Sequence, residues 1–161
     1  MRSWAVYEGP VREAIHSLKY KNNIPLGYFF SQKLIPLIEK AGWSFDTVVP
    51  VPLSRSRQRS RGFNQSSLIA RPLAHYFKIP FDAQSLFRIR ETSPQFDLNA
   101  KERILNVEGA FLGNPANIKG KGVLIIDDVI TTGATMVNCT KALLDSGASK
   151  VFCLSVARVV L

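Results

Sequence analysis

The chain predicts an α/β fold: a parallel sheet flanked by helices, built as one domain over residues 1–161, with a mainly helical part over 1–45 and the core over 46–161. Three observations lead there. Val123-Leu124-Ile125-Ile126 is an unbroken, mostly β-branched apolar run, which suits a strand covered on both faces. That run passes through Asp127 and Asp128 into a turn rich in Thr and Gly, and a helical pattern follows at once. Asp46–Pro52 repeats the order: a strand-like run, a polar segment, then apolar residues at helical spacing. A chain of 161 residues that is 46% hydrophobic and 20% charged has the composition of a globular domain. At that length one core buries roughly 70% of the unfolded surface.

The elements follow in order. Pro10 suits the first helical position, and Val11, Ile15 and Leu18 fall on one face. A second helix is expected from about Leu26 to Lys40, kinked at Pro36. The 46–52 strand stops at a proline and leads into a basic loop carrying Arg55, Arg57, Arg59 and Arg61. A helix from about Asn64 to Tyr76 contains Pro72, with Leu68, Ile69, Leu73 and Phe77 as its apolar positions. Pro80–Leu86 reads as a short strand. Residues 88–103 are polar and aperiodic, which predicts a mobile loop. After the 123–126 strand, Met136, Val137, Thr140, Leu143 and Leu144 predict one helix face, and Gly147 a helix stop. A terminal strand ends at Ala157-Arg158. Phe29, Phe30, Tyr76 and Phe77 are expected in the core. Phe63 is expected to anchor the basic loop, and His16 and His75 to carry no chemistry.

Charge is uneven. The net is +9, and residues 50–103 hold ten Lys/Arg against four Asp/Glu, a net of +6. Such a rim attracts dense anions, whether a small polyphosphate or nucleic acid. No apolar run approaches a membrane span, and no charged segment followed by an apolar one opens the chain. Cys139 and Cys153 lack the paired spacing of a zinc site and are expected to be buried thiols in a reducing, cytoplasmic setting.

The Asp127–Thr135 stretch is the main functional candidate. Ligands of open parallel sheets bind beyond the carboxyl ends of the strands. Two acids there suit sugar hydroxyls, and Thr131, Thr132, Gly133, Ala134 and Thr135 suit a phosphate at a helix N-terminus. An ordinary capped turn, or an acidic pair holding Mg²⁺ as in receiver domains, fits the same residues. The arginine run suits phosphate oxygens, because guanidinium forks match them bidentately, or it is a solvated basic surface.

The contiguous string from Val123 to Thr135 resembles the phosphoribosyl pyrophosphate (PRPP) loop of type I phosphoribosyltransferases. The resemblance implies that fold, with a small N-terminal helical hood. It implies that Asp127 and Asp128 bind the ribose 2′- and 3′-hydroxyls, that residues 131–135 cradle the 5′-phosphate, and that Mg²⁺ arrives with PRPP. Purine-salvage members carry an Asp where this chain has Thr131, which argues against purine salvage. Val-Pro-Val-Pro followed by Arg-x-x-x-Arg-Gly-Phe-Asn-Gln resembles the ComF family, a group tied to bacterial DNA uptake. The likeness runs nearly from Tyr7 to Arg158, taking in Val11–Ile15, Leu18-Lys19-Tyr20 and Arg88–Gln95. It implies PRPP-dependent phosphoribosyl transfer with pyrophosphate release, Arg61 being the favoured catalytic arginine. By analogy with a lid in type I relatives, Arg88, Arg90, Lys101 and Arg103 would reach the pyrophosphate. A non-catalytic module binding PRPP and single-stranded DNA is the alternative, and a homodimer fits the resembling fold. Many relatives carry a zinc-ribbon-like domain ahead of this region; none is expected in this sequence.

Overall fold

A computed structural model describes residues 1–90 and 108–160. Its centre is a four-stranded, wholly parallel sheet in the order β1-β6-β5-β2, comprising β1 (Arg2–Val6), β2 (Thr47–Pro50), β5 (Gly122–Ile130) and β6 (Lys150–Arg158). A two-stranded antiparallel ribbon, β3 (Leu86–Arg88) with β4 (Phe111–Gly113), stands beside it. The helices are α1 (Gly9–Tyr20), α2 (Pro25–Ala41), α3 (Arg55–Arg61), α4 (Gln65–Tyr76), α5 (Pro115–Ile118) and α6 (Ala134–Asp145).

The apolar run at 123–126 is fully buried because β5 lies between two neighbours and its two faces feed two cores. Alternation along the strand makes the division. Leu124 and Ile126 join Ile15 and Leu18 of α1, Phe30, Leu34 and Ile38 of α2, and Ile69 and Leu73 of α4. Val123 and Ile125 join Met136, Cys139 and Leu143 of α6. The N-terminal helices therefore complete one face of the sheet. Packing of α2 on α4 needs Gly27: a Cβ there would lie 2.7 Å from Leu68 Cβ and 2.9 Å from Leu68 O.

Register decides where the acids emerge. β2 pairs with β5 only from Thr47↔Val123 to Pro50↔Ile126, while β6 follows β5 as far as Ile130↔Arg158. Asp127 and Asp128 thus lie past the end of β2 but inside β5, which continues to Ile130, where the sequence had suggested the strand ends on the doublet. Asp46 ties the other end, its Oδ2 accepting from Gly122 N at 2.7 Å.

Several expectations need correction. Residues 2–6 form an edge strand within a part expected to be helical; its half-buried face shows no clean alternation. The basic run is a helix, since Ser54 caps it by accepting from Arg57 N at 3.4 Å and Gly62 ends it at φ +76°. No strand spans 80–86. Asp82 there builds a turn, accepting from Gln84 N and Ser85 Oγ, both at 2.6 Å, and the strand starts at Leu86. Arg88 therefore ends a strand instead of opening a loop. The buried stripe of α6 is Ala134, Met136, Cys139 and Leu143, leaving Val137 63% and Leu144 45% exposed. Phe29 and Tyr76 are also exposed, whereas Phe30 is buried and Phe63 packs partly against the first core. Among the described residues no helix is long and apolar enough to cross a membrane.

Candidate functional site

The site is assembled at the carboxyl end of the sheet from three segments: the β5 doublet, the turn into α6, and the β2–α3–α4 connection. Asn64 organises the last. Its Nδ2 donates to Val51 O at 2.9 Å, just past β2, and its Oδ1 caps α4 by accepting from Ser66 N at 2.9 Å. That cap brings Ser66 to the doublet, where its hydroxyl donates to Asp127 Oδ1 at 3.1 Å. The same oxygen accepts from Asp128 N at 2.8 Å.

The two acids have different surroundings. Asp127 is half-buried. Burial, followed by the charge of Asp128, pushes its carboxyl up from 3.8 to about 7; Lys19, the Asp128 N–H and Ser66 pull the other way. Asp128 is only 4% exposed, with Oδ1 on Lys19 Nζ at 3.0 Å. Its Oδ2 is enclosed and meets no hydrogen-bond donor among the described residues. Burial works against the Lys19 ammonium, but Asp128 and Asp127 outweigh it and hold its pKa above the usual lysine range. Cys139 lies deep on the other face, its thiol pushed well up by burial and then by Asp127, so it is no nucleophile.

The turn has the expected form. Gly133 takes φ +81° as N-cap of α6, which a residue with a side chain adopts only under strain. Thr132 Oγ1 accepts from Ala134 N at 3.4 Å. Thr131, Thr132 and Thr135 are half-buried, while Gly133 and Ala134 are buried. The Met1 methyl lies 3.8 Å from where a Gly133 Cβ would stand.

Because the arginine run is helical, its alternation in sequence becomes two opposed pairs, each spaced i,i+4. Arg55 and Arg59 line a cleft of about 520 Å³ together with Gln58, Asn64 and Ser67. Arg55 also borders a second cleft of about 440 Å³, lined by Arg88 of β3. Arg61 turns away to Tyr20, donating to its hydroxyl at 3.2 Å with the guanidinium 4.9 Å from the ring centroid. Arg90 donates to Glu108 O at 2.6 Å. Lys101 and Arg103 lie outside the described residues.

Neither cleft is lined by Asp127, Asp128 or residues 131–135. The arginine cleft and the doublet are nevertheless adjacent: Ser66 bonds Asp127 and Ser67 lines the cleft. Sequence reasoning missed Ser66 and Lys19. The Asn64 cap before Ser66 was a readable signal. Nothing in the spacing of α1 marks Lys19, which follows a buried leucine at the edge of the apolar stripe. No group of three or more His, Cys, Asp or Glu side chains comes together among the described residues.

The geometry agrees with what the chain is similar to. A family model described as "Phosphoribosyl transferase domain" matches residues 35–159. The "DNA utilization protein YhgH" of Salmonella typhi is 35% identical over 156 residues, covering 92% of this chain and 68% of that protein. "Competence protein F" of Haemophilus influenzae is 35% identical over 115 residues, 70% of this chain and half of that protein. Among solved structures, a glutamine PRPP amidotransferase from B. subtilis, complexed with ADP and GMP, superposes with a TM-score of 0.53 at 22% identity. The match covers 82% of this chain and 25% of that one, and it bears on the fold alone. The parallel sheet, its flanking helices and these matches together place the chain in the phosphoribosyl transferase domain family, with ComF-type proteins named for competence and DNA utilization among its relatives.

Proposed function

We propose that the protein binds PRPP and transfers its phosphoribosyl group to an acceptor, releasing pyrophosphate. The observation that carries this reading is the junction at the start of α4, where adjacent serines join a carboxylate site to an arginine-lined cleft. A ligand with hydroxyls at one end and a diphosphate at the other matches that junction. Asp127 takes the ribose end, the Thr131–Thr135 turn takes the 5′-phosphate at the α6 N-terminus, and Arg55 and Arg59 take the diphosphate.

The acceptor forms a bond to C1′ as the C1′–oxygen bond breaks, and the pyrophosphate leaves with the electron pair. Positive charge gathers on the ribose and negative charge on the leaving group, so the protein acts by holding the reactants in line and by fixed guanidinium charge. Two carboxylates, one of them tied to Lys19, make no metal cage. That donor set fits an Mg²⁺ carried by the ligand's own phosphate oxygens, with Asp127 the carboxylate at hand, and the ion would supply neutralisation of leaving-group charge.

Calorimetric titration with PRPP and Mg²⁺ tests binding, and pyrophosphate release across a panel of amine and base acceptors tests transfer. Saturable binding with release in one acceptor supports the reading. Absence of PRPP binding to the folded protein overturns it.

A second reading, single-stranded DNA binding, gains one specific observation. Tyr20 is 53% exposed, sits under Arg61 and lies 4.6 Å from the His16 ring, centroid to centroid. Aromatic rings beside guanidinium groups form stacking platforms for bases. The names of the relatives agree with a role in DNA uptake. Binding that weakens steeply with salt and falls in Tyr20→Ala supports it; equal affinity in that variant removes it.

A further inference from the structure

We infer that the two clefts form one groove that takes a nucleoside diphosphate, its diphosphate at Arg55 and Arg59 and its base in the second cleft against Phe87 and Ile89. A nucleotide held there fills the place of the pyrophosphate end of PRPP and excludes it. The inference rests on the phosphoribosyl reading and adds a competing ligand to it.

The clefts are continuous. Pro52, Leu53, Arg55 and Ala83 line both, so one ligand can reach from the first into the second. Their chemistry differs. The first, of about 520 Å³, is polar, with Arg55, Arg59, Gln58, Asn64 and Ser67 in its wall. In the second, of about 440 Å³, six of the eight lining residues are apolar, and the other two are Arg55 and Arg88. Each has the size of an ordinary small-molecule site. Among the described residues no Asp or Glu lines either cleft. Three guanidinium groups with no acid in the same wall favour a polyanion, and their forks match phosphate oxygens.

PRPP leaves the second cleft without a role, because a ribose with phosphates has no apolar part to put there. The acceptor does not fill it either. In-line displacement brings the acceptor to C1′ on the side opposite the departing diphosphate, whereas this cleft adjoins the diphosphate's own. Phe87 and Ile89 stand at alternate positions along the β3 edge of the ribbon, where Ile89 N donates to Ala110 O at 2.9 Å. They are 43% and 60% exposed, so a large apolar surface faces water at the cleft wall. A planar base covers such a surface and stacks on the Phe87 ring. A nucleoside diphosphate carries an apolar ring system at one end and a diphosphate at the other, in the order in which the groove presents their partners.

The test compares ADP with methyl diphosphate, which has the same charged end and no nucleoside. The readout is the base advantage, the ratio of the two affinities by calorimetry on the whole chain. In the wild type it is expected to be about tenfold, the worth of one stacked base. Phe87→Ala is expected to cut it about fivefold or more while leaving methyl diphosphate affinity within about twofold. Leu112 is the cross-strand partner of Phe87, is 52% exposed and lines neither cleft. Leu112→Ala therefore reports damage to the ribbon alone, and should keep the ratio within about twofold. Pyrophosphate should displace ADP, and ribose 5-phosphate should not. No base advantage in the wild type, an equal loss in Phe87→Ala and Leu112→Ala, or ADP displaced by ribose 5-phosphate but not by pyrophosphate overturns the groove and leaves the phosphoribosyl reading standing. Protein that gives the expected ADP results but does not bind PRPP keeps the groove and loses that reading.

Discussion

Asp127→Asn should make the protein more stable at neutral and alkaline pH while removing the carboxylate of the proposed sugar contact. The raised pKa of Asp127, from 3.8 to about 7, means that the folded state holds this proton more tightly than the unfolded chain does. The linked stability is therefore present in full below about pH 4 and is lost progressively as pH rises through about 7. A shift of that size carries a ceiling of about 4 kcal/mol at 1.36 kcal/mol per unit. The useful window is pH 5.5 to 8, where ordinary carboxylates no longer titrate, and within it about 2 kcal/mol of stability should go. For a domain of this length that is roughly 4–8 °C in Tm. Asparagine keeps an acceptor for Ser66 and Asp128 N but carries no charge beside Asp128, so its Tm should fall less over the same window. The assay is thermal unfolding of both proteins at half-unit pH steps, with urea melts at the two ends. An Asp127→Asn protein that is less stable than wild type at pH 8, or one whose Tm follows the same pH slope, refutes the reasoning.

Three further outcomes are expected. Gly27→Ala should cost about 1–3 kcal/mol in urea unfolding, because the new methyl meets the Leu68 carbonyl oxygen at 2.9 Å and that backbone atom cannot swing aside. Gly133→Ala should cost about 1–2 kcal/mol through its positive φ, and phosphate affinity should fall with it as the turn deforms. Arg55→Ala/Arg59→Ala should weaken pyrophosphate binding by about tenfold or more, whereas Arg57→Ala, on the opposite side of α3, should change it by less than about threefold.

The sequence was most legible where one residue's role depended on its immediate neighbours. The buried run 123–126, the Thr-Gly turn and the α4 start at Asn64 are local patterns, and each stands where expected. It was less legible where a partner far along the chain decides the outcome. β1 is a strand because β6 offers it an edge, an arrangement that Arg2-Ser3-Trp4-Ala5-Val6 does not announce. Lys19 matters because Asp128 lies beneath it after more than a hundred intervening residues. The stripe of α6 was misplaced because Val137 and Leu144 share a helical period with Met136 and Leu143, and only packing against β5 and β6 selects among neighbouring registers. The α3 helix is a different case: its cap at Ser54 and its stop at Gly62 were both in plain view, and the density of arginine obscured them.

That helix bears on how the two functional readings relate. In an extended loop, alternating arginines would share one side, and PRPP and a DNA strand would compete for them. On α3 the pairs separate. Arg55 and Arg59 face the cleft beside the doublet, while Arg61 joins Tyr20 and His16 on the surface of α1. The first pair lies next to a carboxylate, which suits a ligand mixing hydroxyls with phosphates and disfavours a continuous phosphate backbone. Arg61, from the other side of α3, lies beside exposed rings with no acid paired to it among the described residues, which would suit stacked bases on a strand. A seven-residue helix thus presents arginines to two settings of different chemistry, and on the two proposed readings a nucleic acid held at the outer one would leave the inner one open to a sugar phosphate.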